Sequence, residues 1–173
     1  MIQEIETGIP SDTNKRIIEV LFKLAAWQNA IEYRGPSLNR PDAGFILSTF
    51  NTAPNSSYCP NDVLNTYAYT VFDMVNKNTF TKLKQVNRIY WNWYHPGSEM
   101  KFHRDADGDN EYSILYNIHD NDGGTEIKIN NEVKFYKSIE SKALMYPSII
   151  YHRGVAPKKD FNRFIKLNFV IYF

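Results

Sequence analysis

Two histidines and one aspartate have the residue types and the spacing of a metal site. His103 and Asp105 are two residues apart where a strand should end, so both side chains leave the same face and can bind one ion. His152 lies at the end of another predicted strand, and an antiparallel barrel brings such distant strand ends together. Two imidazoles and one carboxylate leave positions of an octahedral ion open, which is the arrangement that selects ferrous iron for oxygen chemistry.

A basic residue further along the chain extends this set. Arg163 opens the last predicted strand, whose odd-numbered positions Ile165–Phe173 are otherwise apolar. A guanidinium on an apolar face needs a partner, because an unpaired desolvated charge is costly, and a bidentate carboxylate from a small molecule would satisfy it. Two alternatives stay open. Arg163 could pair with a surface acid such as Asp160, or Lys166 could take the role if the opposite face of the strand points inward.

The other candidate ligands are weaker. A lone histidine is most often a surface residue or a satisfied core residue, and we interpret His95 and His119 in this way. Asp107 could replace Asp105 as a ligand, but its spacing from His103 fits a metal motif less well, so we expect it beside the site or in solvent.

Two amphipathic helices are predicted in the N-terminal half. The first is capped by Ser11 or Asp12 and has apolar residues at three- and four-residue spacing: Ile17, Ile18, Leu21, Leu24, Ala25 and Ile31. The second is capped by Asn61 or Asp62 and runs to about Asn76, with an apolar stripe of Leu64, Tyr67, Val71 and Met74. Between them, residues 34–60 predict an irregular connection with one short strand at Phe45–Phe50.

After Lys84 the sequence changes to short aromatic and β-branched runs separated by turn residues. Asn130 and Asn131 can supply the two left-handed residues of a tight hairpin turn. The predicted strands are Val86–Tyr94, Met100–Arg104, Tyr112–Ile118, Thr125–Asn130, Glu132–Lys137, Ala143–Tyr146, Ile149–His152 and Arg163–Phe173. About eight strands after two helices predict a mostly β fold, a jelly-roll or cupin-like double-stranded β-helix braced by the helices on one face.

Length and composition restrict the class of protein. At 173 residues we treat the chain as one domain, with residues 1–82 as helical support and irregular connection and residues 83–173 as the double-stranded β-helix core. A net charge of +1 gives no global field that would recruit nucleic acid or an acidic membrane. The single cysteine, Cys59, excludes an internal disulfide and cysteine-rich zinc sites. No signal-peptide pattern and no apolar run of about 18 residues occur, which predicts a cytoplasmic protein.

The second half of the chain, roughly residues 86–173, resembles the 2-oxoglutarate/Fe(II) oxygenases and particularly their prolyl 4-hydroxylase-like branch. Four stretches carry the resemblance, in the order YHPGSEMKFHRDAD, SILYNIHDNDGGTEI, MYPSIIYHRGVAP and NRFIKLNF. The family's H-x-D motif falls on His103 and Asp105, and its distal histidine falls on His152. The resemblance implies that these three residues bind iron(II) and that Arg163 binds the distal carboxylate of 2-oxoglutarate.

Two tyrosines are further implied in co-substrate binding. Tyr94, in the pattern Y-x-P-G, resembles a family tyrosine that lines the co-substrate pocket, and Tyr90 and Asn92 share its strand face. Tyr116 resembles the family tyrosine that hydrogen-bonds the distal carboxylate. The two residues that follow it differ from the family's Leu-Asn, so the register could slip by one and make Asn117 the inward residue.

The resemblance implies an enzyme, a dioxygenase that uses Fe(II), O2 and 2-oxoglutarate, with ascorbate as a supportive reductant. The leading hypothesis for the substrate is a protein or peptide side chain, with proline the first residue type to test. The alternatives are a nucleobase or a free small molecule as substrate, or a non-catalytic cupin-like module that binds a metal or ligand. We expect no membrane partner, and a nucleic-acid partner is not favoured, although Lys158 and Lys159 could form a local basic patch.

Overall fold

The computed structural model describes residues 1–23, 28–29, 44–52, 58–79, 82–96, 98, 100–158 and 164–172. Two helices and ten strands lie in these residues. The helices are α1, Ser11–Lys23, and α2, Asp62–Asn78. The strands are β1 Gln3–Glu6, β2 Gln28–Asn29, β3 Gly44–Asn51, β4 Gln85–Tyr94, β5 Glu111–Asn117, β6 Gly124–Ile129, β7 Glu132–Lys137, β8 Lys142–Pro147, β9 His152–Val155 and β10 Phe164–Tyr172. None of the described helices is long and apolar enough to span a membrane.

Both predicted helices are confirmed. In α1, Ile17 and Leu21 are buried as the apolar spacing predicts. The predicted continuation of this helix to Ile31 is wrong, because Gln28 and Asn29 form β2, which pairs with β3. Of the two candidate caps of α2, Asn61 is the one used, because its side chain accepts a hydrogen bond from the backbone N–H of Leu64 at 3.0 Å. The buried stripe of α2 fixes which side of the helix packs onto the sheet.

The strands form two antiparallel sheets. The larger sheet has seven strands in the order β1-β8-β5-β10-β4-β3-β2, and the smaller has three in the order β7-β6-β9. The hairpin between β6 and β7 turns at Asn130 and Asn131, whose φ angles of 48° and 68° confirm the predicted left-handed pair. The fold is therefore mostly β, with two helices.

Besides β2, three features of the sheets differ from the sequence-based prediction. Strand β1 was not predicted, since four residues carry too little pattern, and it forms through long-range pairing with β8. The predicted strand Met100–Arg104 reduces to a single antiparallel bridge between His103 and His152. The predicted strand Ile149–His152 is a turn up to residue 150, closed by a hydrogen bond from the N–H of Ile150 to the carbonyl of Pro147 at 3.0 Å, and β9 begins at His152.

The larger sheet is buried on both faces. Its helix face packs against α1 and α2 in one apolar cluster that includes Leu21, Leu64, Val71, Ile89, Trp91, Ile114, Tyr116, Met145, Phe169 and Ile171. Its other face, here called the inner face, packs against the smaller sheet in a second cluster of Leu115, Ile127, Tyr136, Leu144 and Tyr146. Strand alternation explains the division, because neighbours along β5 such as Leu115 and Tyr116 leave opposite faces.

Candidate metal centre

The backbone holds His103 and His152 side by side. The N–H of each residue donates to the carbonyl of the other at 2.9 Å, which is the hydrogen-bonded pair of an antiparallel bridge. Residues paired in this way project their side chains to the same side, and the two imidazole ring centroids are 4.4 Å apart. Two residues distant in sequence are thus placed to act on one ion.

Asp105 completes a cluster with the two histidines. Its Oδ1 lies 3.7 Å from His103 Nε2, and its Oδ2 lies 3.4 Å from His152 Nε2. One potential ligand atom from each of the three residues falls within 4.8 Å of the others. The side chains of Asp105 and His152 are only 7% and 5% exposed, so the cluster faces the interior between the sheets.

Hydrogen bonds orient both imidazoles so that Nε2 faces Asp105. His103 Nδ1 is 3.1 Å from the carbonyl oxygen of Lys101, and His152 Nδ1 is 3.1 Å from that of Ile150. A carbonyl oxygen can only accept, so each Nδ1 carries the proton and donates it. In the neutral form of each ring, the Nε2 lone pair is then directed to the cluster, which is the tautomer that a metal-ligating histidine requires.

The carboxylate of Asp105 is held ionised by its surroundings. The Ser113 hydroxyl donates to Oδ2 at 2.6 Å, and an Arg88 guanidinium nitrogen donates to the Asp105 backbone carbonyl at 2.8 Å. Burial alone would raise the pKa of Asp105, but His152, His103, the Ser113 hydrogen bond and Arg88 together lower it below its ordinary value. A carboxylate that stays charged when buried is a suitable ligand for a hard divalent cation.

The weaker ligand candidates lie away from the cluster. Asp107 is exposed and pairs with Arg104 at 3.1 Å. His95 follows the end of β4 on the surface, and His119 lies beyond β5 with its Nδ1 3.0 Å from the carbonyl oxygen of Asp120. None of these three side chains joins the group formed by His103, Asp105 and His152 within the described ranges.

The two tyrosines implied in co-substrate binding lie on opposite faces of the larger sheet. Tyr94 is half-buried on the inner side, next to Gly154. A Cβ atom added to Gly154 would lie 3.3 Å from the Tyr94 ring. Tyr116 lies in the helix-face cluster and donates its hydroxyl to Asn14 Oδ1 at 2.8 Å. Tyr116 therefore lies on the helix face, and its neighbour Asn117 leaves the opposite face of the sheet, as in the alternative register.

The basic residues of the last strand are described only in part. Arg163 lies outside the described residues. The backbone of Lys166 pairs with Asn117 on β5 and with Asn92 on β4. This register places the backbone of residue 166 directly opposite Asn117 and Asn92.

Three residues of the site were not found from the sequence. Ser113 and Ser148 share a hydrogen bond at 2.9 Å, and the carbonyl of Ser148 accepts from the N–H of Asp105 at 3.0 Å, which anchors the ligand loop. Tyr146 is fully buried, with its ring centroid 4.9 Å from that of His152. Single serines and a tyrosine in short strands and turns give no signal until the tertiary structure places them next to the candidate ligands.

The Tyr146 hydroxyl is one of several buried polar atoms without a hydrogen-bond partner in the described residues, and it lies next to the ligand cluster. Burial raises its pKa well above the ordinary value, and the carboxylate of Asp105 and the hydroxyls of Tyr90 and Tyr94 raise it further, whereas the neighbouring Ser113 hydroxyl, which lies outside hydrogen-bond geometry, lowers it. The hydroxyl therefore stays protonated beside the ligand cluster.

Solved structures resemble this fold across nearly its whole length. A prolyl hydroxylase from Trichoplax adhaerens, in complex with a hypoxia inducible factor oxygen degradation domain peptide fragment, is 14% identical, with a TM-score of 0.71 over 99% of this chain and 83% of that chain. An oxidoreductase of the 2OG-Fe(II) oxygenase family from Burkholderia pseudomallei is 10% identical, with a TM-score of 0.71 over 99% and 85%. HygX from Streptomyces hygroscopicus, with nickel and 2-oxoglutarate bound, is 11% identical, with a TM-score of 0.68 over 99% and 82%.

No protein-family model and no curated protein matches the sequence. The likeness is therefore one of structure, at identities of 10–14% for these three proteins. The His-Asp-His cluster is in addition consistent with one Fe(II) ion. The chain has the fold of the 2OG-Fe(II) oxygenases, prolyl hydroxylases among them, and the resemblance seen in its sequence is confirmed at that level.

Proposed function

We propose that this chain is an Fe(II)- and 2-oxoglutarate-dependent dioxygenase with His103, Asp105 and His152 as its metal ligands. The observation that carries the proposal is the convergence of their ligand atoms to within 4.8 Å of one another, with both imidazoles turned to present Nε2. A set of two histidines and one carboxylate differs from the four closed ligands of a structural zinc site, because it leaves positions for reactants.

We further propose that the two sheets form a double-stranded β-helix and that residues 1–173 act as one domain. The inner face of the larger sheet packs against the smaller sheet through Leu115 and Tyr146 on one side and Ile127 and Tyr136 on the other. The helices cover the opposite face. The largely buried cluster of His103, Asp105 and His152 would hold the co-substrate against the metal.

The distal carboxylate of 2-oxoglutarate is proposed to bind on the inner face, near Asn117 and Asn92. A basic residue must neutralise it, and the sequence offers Arg163 and Lys166. The register that aligns position 166 with Asn92 and Asn117 favours Lys166 as much as the family resemblance favours Arg163. Replacing the true partner with Ala should weaken 2-oxoglutarate binding by on the order of 2–5 kcal/mol, and replacing the other should change it little.

The residues of the chain contribute positioning and exclusion of water. The Lys101 and Ile150 carbonyls fix the imidazoles, and the Ser113 hydroxyl fixes the carboxylate of Asp105. Tyr94 lines the space beside the cluster and is proposed to border the co-substrate. Bound iron(II) would supply the oxidising chemistry, in which O2 and 2-oxoglutarate are consumed while succinate, carbon dioxide and a hydroxylated product are released. A dry, fixed site protects such chemistry from side reactions.

The substrate is proposed to be a protein or peptide side chain, with proline tested first. Support comes from the Trichoplax adhaerens prolyl hydroxylase of the same fold, which was solved with a peptide fragment bound. The loop of residues 106–110 beside Asp105 is largely exposed and can border an open groove for an extended chain.

The test is co-substrate turnover with three classes of substrate side by side. Purified protein with Fe(II), ascorbate and 2-oxoglutarate is assayed for succinate in the presence of proline-rich peptides, single-stranded oligonucleotides or free amino acids. Mass spectrometry records the gain of one oxygen, and Asp105→Ala serves as the inactive control. Modified peptides would support the full proposal. Modified oligonucleotides or amino acids with unmodified peptides would leave an oxygenase of another substrate class. Absence of succinate with every addition, despite metal binding, would indicate a non-catalytic cupin-like module.

A further inference from the structure

The buried hydroxyl of Tyr146 contrasts with that of another buried tyrosine. Tyr67, on α2, donates to Asn14 Oδ1 at 2.5 Å, and the side-chain amide nitrogen of Asn14 is itself bonded to Glu140 Oε1 at 3.0 Å. The Tyr146 hydroxyl has no hydrogen-bond partner among the described residues. Buried tyrosine hydroxyls usually have one, because leaving a polar group unsatisfied is costly.

Packing alone does not explain a tyrosine at this position. The Tyr146 ring is fully buried, belongs to the inner-face cluster and contacts the His152 ring. A phenylalanine would fill the same space without burying an unpaired O–H. The hydroxyl is therefore the part of the residue that needs an explanation, and a ligand that brings an acceptor would provide one.

The surroundings of the hydroxyl define the ligand chemistry. Tyr146 is the direct cross-strand partner of Ser113, whose own O–H is directed to Asp105 Oδ2 at 2.6 Å. The Asp105 carboxylate and the Tyr90 and Tyr94 hydroxyls lie near enough to act on Tyr146 electrostatically. A phenol is protonated at neutral pH and can donate one hydrogen bond. The position suits an anionic oxygen bound next to the metal ligands.

We propose that Tyr146 is a co-substrate-binding residue, which donates a hydrogen bond to a carboxylate oxygen of the 2-oxo acid at the metal centre. This inference rests on the proposed dioxygenase function. It adds a neutral donor on β8 to the basic residue of the last strand, so the two carboxylates of 2-oxoglutarate need not depend on one side chain. The proposed metal ligands remain His103, Asp105 and His152.

The test is the variant Tyr146→Phe, which keeps the ring against His152 and removes only the hydroxyl. We expect the KM for 2-oxoglutarate to rise about tenfold, equivalent to roughly 1.4 kcal/mol, with kcat and metal affinity nearly unchanged. Without ligands, the variant should unfold at the same temperature as the parent or a higher one, because an unsatisfied polar group has been removed. The rise in unfolding temperature on adding 2-oxoglutarate and Mn²⁺ should be smaller in the variant.

Tyr67→Phe is the matched control, since it removes a buried hydroxyl that has a partner. It should lower the unfolding temperature and leave the KM for 2-oxoglutarate unchanged. An unchanged KM in Tyr146→Phe would overturn the inference, as would a loss of stability like that of the control with no effect on the co-substrate. If the parent protein itself bound neither metal nor 2-oxoglutarate, the proposed function would also be wrong. That outcome is measured on the parent protein, so it is distinct from an unchanged KM in Tyr146→Phe.

Discussion

The two faces of the seven-stranded sheet are both buried, but they differ in chemistry. On the helix face, β5 and β10 place Ile114, Tyr116 and Phe169 in a closed apolar cluster with the helices. On the inner face, the same β5 places Ser113 and Asn117 toward the space between the sheets. One strand thus stabilises the fold with one set of alternating residues and supports the candidate site with the other.

Buried tyrosines show what this difference means. Tyr67 and Tyr116, on the helix side, both donate to Asn14 Oδ1, at 2.5 and 2.8 Å. Tyr146, on the inner face, is equally enclosed and has no partner in the described residues. On the helix side, Asn14 accepts hydrogen bonds from both hydroxyls. On the inner face, we propose that the Tyr146 hydroxyl donates to a ligand. A substitution on one face should therefore change stability, and a substitution on the other should change binding.

The largest effect is expected at the metal ligands. Asp105→Ala or His152→Ala should weaken binding of Fe(II) or Mn²⁺ by more than about 100-fold. Replacing a residue that only hydrogen-bonds a metal ligand already lowers metal affinity by about 10–100-fold. Calorimetric titration measures the affinity, and far-UV circular dichroism should show that the β structure persists.

Asp107→Ala is the control, because Asp107 is a nearby but exposed carboxylate, and this variant should bind metal like the parent. If both ligand variants bound metal like the parent, the assignment of the site would be wrong.

Replacing a buried helix-face side chain with alanine should lower the stability of the fold and leave metal binding unaffected. Phe169 is fully buried and its ring centroid lies 6.3 Å from that of Phe72. Phe169→Ala should lower the free energy of unfolding by about 3–5 kcal/mol, because it removes apolar contacts and leaves a cavity. Denaturant titration measures this, with the exposed Val133→Ala as a control that changes little. Comparable losses in the two variants would contradict the placement of Phe169 in the core.

An intermediate effect is expected at Ser113, which hydrogen-bonds the proposed ligand Asp105. Ser113→Ala removes the 2.6 Å hydrogen bond to Asp105 Oδ2, so the pKa of Asp105 should rise and metal affinity should fall about 10–100-fold. Since protons then compete with the metal at higher pH, the difference from the parent should widen as pH falls. Titrations at several pH values test this. Ser98→Ala, whose hydroxyl accepts from the N–H of His95 at 3.2 Å, should behave like the parent.

The smallest effect appears only at alkaline pH. Burial, with the nearby Tyr116 and Glu140, holds the pKa of Tyr67 well above its ordinary value. In the unfolded chain this tyrosine ionises near pH ~10, so above that pH the folded state binds one more proton and stability falls by about 1.4 kcal/mol per pH unit. Below pH ~9 this group gives no dependence. Tyr67→Phe should therefore lose stability less steeply between pH 10 and 11 in urea titrations, and an equal slope would show that Tyr67 ionises in the folded protein.

Local patterns in the sequence predicted most of the elements and the residues of the candidate ligand cluster. Apolar spacing predicted both helices, Asn61 was one of two predicted caps, and the Asn130–Asn131 pair predicted its hairpin. The H-x-D spacing and the distal histidine predicted the three residues that the structure brings together, although their role as ligands stays a proposal. These features succeed because each depends on neighbours in sequence or on residue types that few other sites require.

Only the tertiary structure decided which face of each strand meets the site. Residues 113–117 of β5 are all buried, so alternation alone could not tell whether Tyr116 or Asn117 points inward. The packing of Tyr116 against the helices placed Tyr116 on the helix face and Asn117 on the opposite face. The pairing of β5 with β8 and β10 placed Ser113 beside Tyr146 and residue 166 opposite Asn117. Strand register is set by contacts between residues far apart in sequence, and a single sequence carries no local record of them.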